Sequence, residues 1–289
     1  MPKTCLAPAA SWLAGAASWL AGAVFWMAGA AFWLAGCAVN LSEARPARVL
    51  RGGEVQVSEI NNIIVPTGAL ADGAQSVELV YTALREKKSL TAAEQRDFAG
   101  RTAANALTGP GFGAHVDISL GLGYRLDTSF RFGNGIYAAS VRRGFDGPKW
   151  HGNVGVRAGC NTGTSVIPYL EELNSFVEIA DTNRWDWQAF AQLGREFQQW
   201  GRIWFGVKAM RSVFSVTVDA TKLGLSKEVI DDKLDYLGGS FGLALGYRYA
   251  FFVGELHVLR SIGSVYAFGG ERELDGITIA PSWGILAQF

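Results

Sequence analysis

From Ala114 to the C-terminus, large apolar side chains alternate residue by residue with small or polar ones. Val116, Ile118, Leu120, Leu122 and Tyr124 share one phase, and Asp117, Ser119, Gly121 and Gly123 the other. Trp185, Trp187, Ala189, Ala191 and Leu193 oppose Asp186, Gln188 and Gln192. Phe241, Leu243, Leu245, Tyr247 and Tyr249 oppose Gly242, Ala244, Gly246 and Arg248. A side-chain period of two is a strand signal, and each strand then carries one apolar face. Two architectures satisfy it. In a soluble sandwich the apolar faces meet in a core and the polar faces meet water. In a membrane barrel the apolar face meets lipid and the small or polar face fills the lumen. Gly121, Gly123, Gly242, Ala244 and Gly246 stand where a sandwich would place long solvated side chains. Trp150, Trp185, Trp187, Trp204 and Trp283 fall at or near strand ends, as aromatic girdles require. The pattern predicts an all-β, antiparallel, up-and-down barrel; a lipid-tethered soluble β-sandwich is the alternative.

The alternation divides into ten strands, roughly 53–64, 113–124, 128–142, 150–161, 164–180, 185–197, 202–218, 237–249, 252–267 and 276–289, with eight to twelve as the bounds. Gly133-Asn134-Gly135 reads as a bulge inside the third strand. Residues 67–109 break the β pattern. Thr91-Ala92-Ala93-Glu94 is a capping box, helix formers continue to Leu107, and Gly109-Pro110 stops them. Ser76 to Lys87 reads as a second helix of the same insertion. Tight and long connections mostly alternate, as turns and outer loops of such barrels do. The chain thus divides into 1–36, 37–52 and a barrel domain at 53–289, with the helical insertion at about 67–109.

The first 36 residues are a different text. Ser11-Trp12-Leu13-Ala14-Gly15 recurs with a seven-residue period, placing tryptophan at 12, 19, 26 and 33. No charge interrupts the run, so no polar face supports a coiled coil. It ends in Leu34-Ala35-Gly36-Cys37, which resembles the lipobox of bacterial lipoproteins. The resemblance implies cleavage before Cys37 and acylation of that cysteine, leaving a mature chain of about 250 residues. Residues 37–52 then read as a lipidated linker. The rival is an uncleaved inner-membrane anchor, since the run exceeds the roughly 20 apolar residues that span a bilayer. At the other end Trp283, Ile285, Ala287 and Phe289 alternate with Gly284, Leu286 and Gln288. This resembles the terminal strand of bacterial outer-membrane barrels. It implies recognition by barrel-assembly machinery, with lipoprotein-processing machinery and outer-membrane lipid as further partners. Together the ends imply an outer-membrane location, lipid-anchored, with both mature termini on the periplasmic side.

Lysine plus arginine equals aspartate plus glutamate at 26 each, which gives no electrostatic footprint for nucleic acid. The three histidines, His115, His151 and His257, have no metal-ligand spacing. Barrel enzymes that cut lipids need a hydroxyl within reach of a base, and His115 and Ser119 would lie roughly 13 Å apart along a strand. No catalytic residue and no cofactor motif emerges: Gly121-Leu122-Gly123 and Gly152-Asn153-Val154-Gly155 do not open a helix in a βαβ unit. The polar phase does carry charge. Asp117, Arg131, His151, Arg157, Asp186, Lys208, Arg248, Glu255 and His257 are expected to form a lumen network. Both signs are present, so the network can pair internally in a barrel too narrow to conduct. The expectation is a structural or interaction role; a narrow solute channel and a lipid-modifying enzyme are the alternatives.

Overall fold

A computed structural model describes residues 41–68, 90–108, 111–133, 135–161, 177–198 and 200–289. Ten antiparallel strands close into a barrel. They are β1 (Val55–Pro66), β2 (Gly111–Gly123), β3 (Leu126–Gly133), β4 (Ile136–Asp146), β5 (His151–Asn161), β6 (Glu178–Phe197), β7 (Gly201–Asp219), β8 (Glu228–Tyr247), β9 (Ala250–Ile262) and β12 (Gly276–Gln288). Two short strands, β10 (Ser264–Ala267) and β11 (Gly270–Glu273), form a separate hairpin between β9 and β12. Closure is made by β1 against β12, from Gln56↔Gln288 to Pro66↔Thr278. Every edge of the ten-stranded sheet is thereby paired, which a sheet crossing lipid requires.

The ten-stranded barrel agrees with the sequence expectation, but boundaries differ: β8 begins at Glu228 instead of 237, and the expected strand 252–267 is β9 followed by the separate β10. Gly133 and Gly135 flank a hairpin turn between β3 and β4, not a bulge in one strand. A two-residue turn and a bulge both reset the alternation, so parity alone does not separate them. Most of the expected strand 164–180 lies outside the described residues, and its last residues open β6. The expected helix at Ser76 to Lys87 also lies outside them. The helix read from the Thr91 capping box is present as α1 (Ala92–Thr108). Its capping box forms as read: Thr91 N donates to Glu94 Oε2 at 2.7 Å, and Glu94 N to Thr91 Oγ1 at 3.4 Å.

The barrel has two unlike ends. One carries the short connections at 124–125, 147–150, 198–200 and 248–249, with the start of β1 and the end of β12. The other carries the 67–110 insertion, the 220–227 connection and the β10–β11 hairpin. These are called here the turn end and the loop end. Around the wall the apolar phase faces outward. Leu120, Phe130, Val156, Trp187, Val207, Leu245 and Ile285 are exposed, whereas Ala244 and Leu286, one residue along, are fully buried. Aromatics ring the turn end: Tyr124, Trp150, Trp200, Tyr247, Tyr249 and Phe289 are exposed there. An exposed apolar wall with an aromatic girdle is the exterior of a membrane-spanning barrel, and a soluble domain does not carry so large an exposed apolar surface. No helix among the described residues is long and apolar enough to cross a membrane. The fold is held in lipid by strands.

The interior is full. At the loop end, Phe98, Ala99, Ala103 and Leu107 of α1 pack with Ile64, Met210, Phe214, Leu234 and Leu259. The cap is also tied at its rim, where Arg272 of β11 donates to Asp97 of α1. Trp204, expected in a girdle, is instead fully buried in the lumen. A Cβ at Gly242 would lie 2.0 Å from its indole ring, so glycine at 242 makes the space that admits the ring. β1 also changes character midway. Val57 and Ile63 are exposed on the outer face, whereas Glu59, which shares their parity opposite Val116 and Ile285, is buried.

Candidate functional site

Residues 41–50, read from the sequence as part of a linker, run through the barrel. They form no strand, yet Leu41, Ser42, Ala44 and Arg45 are fully buried and Leu50 nearly so. Leu41 joins the α1 cluster near the loop end, and Leu50 sits at the turn end beside Asp127. The segment leaves the lumen through an exposed turn at Arg51-Gly52-Gly53. There its backbone lies against β2, and a Cβ at Gly121 would come within 1.8 Å of Arg51 O. Glycine at 121 is what lets the chain pass.

A buried backbone without strand pairing must find other partners, and the wall side chains supply them. Lys208 donates to Leu41 O. Arg131 Nη1 donates to Ser42 O at 2.7 Å, and Arg157 Nη1 to the same oxygen at 3.2 Å. Arg142 Nη1 donates to Pro46 O at 3.0 Å, and Asn153 to Ala47 O at 2.8 Å. In the other direction Glu255 Oε2 accepts from Glu43 N at 2.9 Å and Ala44 N at 2.6 Å. Asp127 Oδ2 accepts from Leu50 N at 3.1 Å.

The segment brings charges of its own. Glu43 accepts two 2.9 Å hydrogen bonds from Arg157 and one from Gln188, with Lys208 Nζ 3.7 Å away. Arg45 donates to Ser140 Oγ at 2.8 Å and lies 3.7 Å from Glu43. The wall is also paired with itself. Arg131 chelates Asp117 from the directly opposed position on the next strand, and Arg142 does the same to Asp127. Glu255 accepts from Trp204 Nε1 at 3.1 Å and lies 2.8 Å from His257 Nε2.

Most of the expected lumen network therefore meets around one strand of chain. Asp117, Arg131, Arg157, Lys208, Glu255 and His257 are buried together. Asp186 points inward but pairs locally with Arg184 at 2.8 Å and with Ser212. His151 is half-buried at the turn end, 2.8 Å from Asp146. Arg248 corrects the expectation outright. It occupies the two-residue turn between β8 and β9 with φ of 55°, is exposed, and lies over the Tyr247 ring at 5.1 Å. The strand alternation ends at Tyr247, so parity no longer assigns a face at 248. Sequence reasoning missed Glu43, Arg45, Asp127, Arg142 and Asn153. The wall members were legible from phase, since Asp127 and Arg142 share the inward parity of their strands. Glu43 and Arg45 carried no such signal, because a short polar stretch with proline reads as solvated linker.

At the C-terminus Trp283, Ile285, Ala287 and Phe289 share the outward phase of β12. Phe289 N and O both pair with Val55, at 2.8 and 3.0 Å. Cys37 lies outside the described residues. Among the described residues no group of three or more His, Cys, Asp or Glu side chains is placed to hold a metal.

Two solved structures are similar in fold. The crystal structure of Neisserial surface protein A matches at 13% identity and a TM-score of 0.33, over 82% of this chain and 96% of that one. The crystal structure of the outer membrane protease OmpT from Escherichia coli matches at 8% identity and a TM-score of 0.39, over 86% of this chain and 100% of that one. No protein-family model matches the chain, and no curated protein does.

Proposed function

We propose that this chain is an outer-membrane lipoprotein whose barrel is closed by its own N-terminal segment, with a structural or interaction role and no catalytic one. The observation that carries this reading is the burial of residues 41–50 in the lumen. A solute path would need that segment removed, and α1 with its cluster covers the loop end as well. Recognition then falls to the loop-end elements that stand beyond the apolar band. The strands β6, β7 and β8 run 20, 19 and 20 residues, about twice the 9–11 that cross a bilayer. They extend at the loop end, since their other ends are joined by short turns. The turn end, with Phe289, faces the periplasm in this reading, as short turns do in bacterial barrels.

The lipid is carried by Cys37, on the strength of Leu34-Ala35-Gly36-Cys37. Metabolic labelling with a palmitate analogue should disappear in Cys37→Ala and persist in Cys160→Ala; equal labelling of both refutes the lipoprotein. The role is tested in planar bilayers. Purified protein with heat-modifiable gel mobility should show no unitary conductance, and steady ion current would establish the channel instead.

A further inference from the structure

The geometry points to a peptide-binding site in the lumen: a receptor for an extended segment that presents a glutamate to Arg157 and Lys208. Residues 41–50 fill it in cis, and the same segment of a second copy fits it in trans. This rests on the reading of a barrel closed by its own N-terminus and goes further, because it makes the segment a ligand and not a permanent part of the core.

Three observations carry it. First, the segment is held as a bound peptide is held. It pairs with no strand, and its backbone is met by side chains, with Arg131, Arg142 and Asn153 on carbonyls and Glu255 on two amides. Second, most of these groups are already paired without it. Arg131 and Arg142 each spend two nitrogens on a wall aspartate and offer only Nη1 to the segment. Glu255 keeps Trp204 and His257. Arg131, Arg142 and Glu255 can therefore lose the segment without being stranded, and a wall preorganised in this way binds with little ordering cost. Third, the exceptions define the specificity. Arg157 chelates only Glu43, and Lys208 lies 3.7 Å from it. Releasing the segment removes their carboxylate, so any replacement must bring one to the same place. The covalent tie is a single exposed turn at Arg51-Gly52-Gly53.

The test starts from the full folded chain. A site-specific protease sequence is inserted between Gly52 and Gly53, and the purified barrel is cut after folding. A fluorescent peptide of residues 41–52 is then added. Saturable uptake is expected, with release of the original fragment and competition by unlabelled peptide. The Glu43→Ala peptide should compete at least tenfold more weakly. No exchange over days, with the fragment retained, would make the segment a permanent core element and overturn the proposal. Equal competition by the Glu43→Ala and reversed-sequence peptides would overturn it as well. Heat-modifiable mobility of the uncut protein reports separately on the barrel, and its absence would refute the underlying reading first.

Discussion

Glu43 and Arg157 stand 114 residues apart and meet in a two-point ion pair, Nη1 to Oε1 and Nη2 to Oε2, both at 2.9 Å. One partner lies on a segment without secondary structure and the other on β5, and both are buried. Breaking a buried pair by removing one member leaves an uncompensated charge, at a cost on the order of 3–5 kcal/mol. Glu43→Ala and Arg157→Met should each lower stability by that order in urea unfolding. The double variant should lose less than the sum, because the second change removes the stranded charge. Additive losses would show that the two groups do not interact.

The outer wall makes a second prediction. Leu245 is exposed and outward while Ala244 is fully buried. A cationic side chain on the lipid face costs about 2–4 kcal/mol near the bilayer midplane and less toward the interface. Leu245→Arg should impair assembly, whereas Arg248→Ala, in an exposed turn, should be close to silent. Single cysteines at 243 and 245, in a Cys160→Ser background, should be quenched by a lipid-soluble reagent and refuse a water-soluble one. Protection from both would place these residues in a dry protein core.

Phe289 closes the seam between the first and last strands through its backbone pair with Val55, and its ring stacks on Tyr249 at 6.4 Å. Deleting it should lower the amount of heat-modifiable barrel in outer-membrane fractions and raise degradation. Phe289→Tyr should restore the level, since it keeps the ring and the backbone pair. Unchanged levels after deletion would contradict a role in assembly.

The loop-end cap should respond to acid. Burial alone would raise Asp97, but hydrogen bonds from Arg101 and Arg272 outweigh it and hold the carboxyl below its usual range. A lowered folded pKa means that the stabilisation is complete above the unfolded value, about 3.9. It is lost as pH falls through the folded value. Hydrogen exchange of α1 amides should therefore accelerate below about pH 4, and Arg272→Ala should flatten that dependence. A profile identical in both proteins would dissociate Asp97 from docking of the helix.

The strand phase was legible because lipid and lumen impose opposite demands on alternate residues, as Leu243 and Ala244 show. Strand boundaries were less so. Reading 128–142 as one strand merged β3 with β4, and the cause is physical: the Gly133 to Gly135 turn shifts parity as a bulge would. The wall charges Asp117, Arg131 and Arg157 were legible from phase, but not what they bind. Ser42-Glu43-Ala44-Arg45-Pro46-Ala47-Arg48 is polar and proline-containing, and only the complementary wall around it makes burial favourable. Trp204 was misplaced for a similar reason, since the space opposite Gly242 is a property of the closed barrel and not of either strand.

Closure of the barrel requires residues 41–50 to lie inside it. Val49 and Gly144 test this directly, because a Cβ at Gly144 would lie 2.8 Å from Val49 Cβ. Widening that separation by about 1 Å gives disulfide geometry. Val49→Cys with Gly144→Cys, in a Cys160→Ser background and with a protease site between Gly52 and Gly53, should oxidise in isolated membranes. After cleavage the N-terminal segment should stay joined to the barrel on a non-reducing gel and leave it on reduction. Val49→Cys with Phe145→Cys, whose side chain faces outward, should not link. Linkage in neither pair, or equally in both, would contradict a lumen filled by this segment.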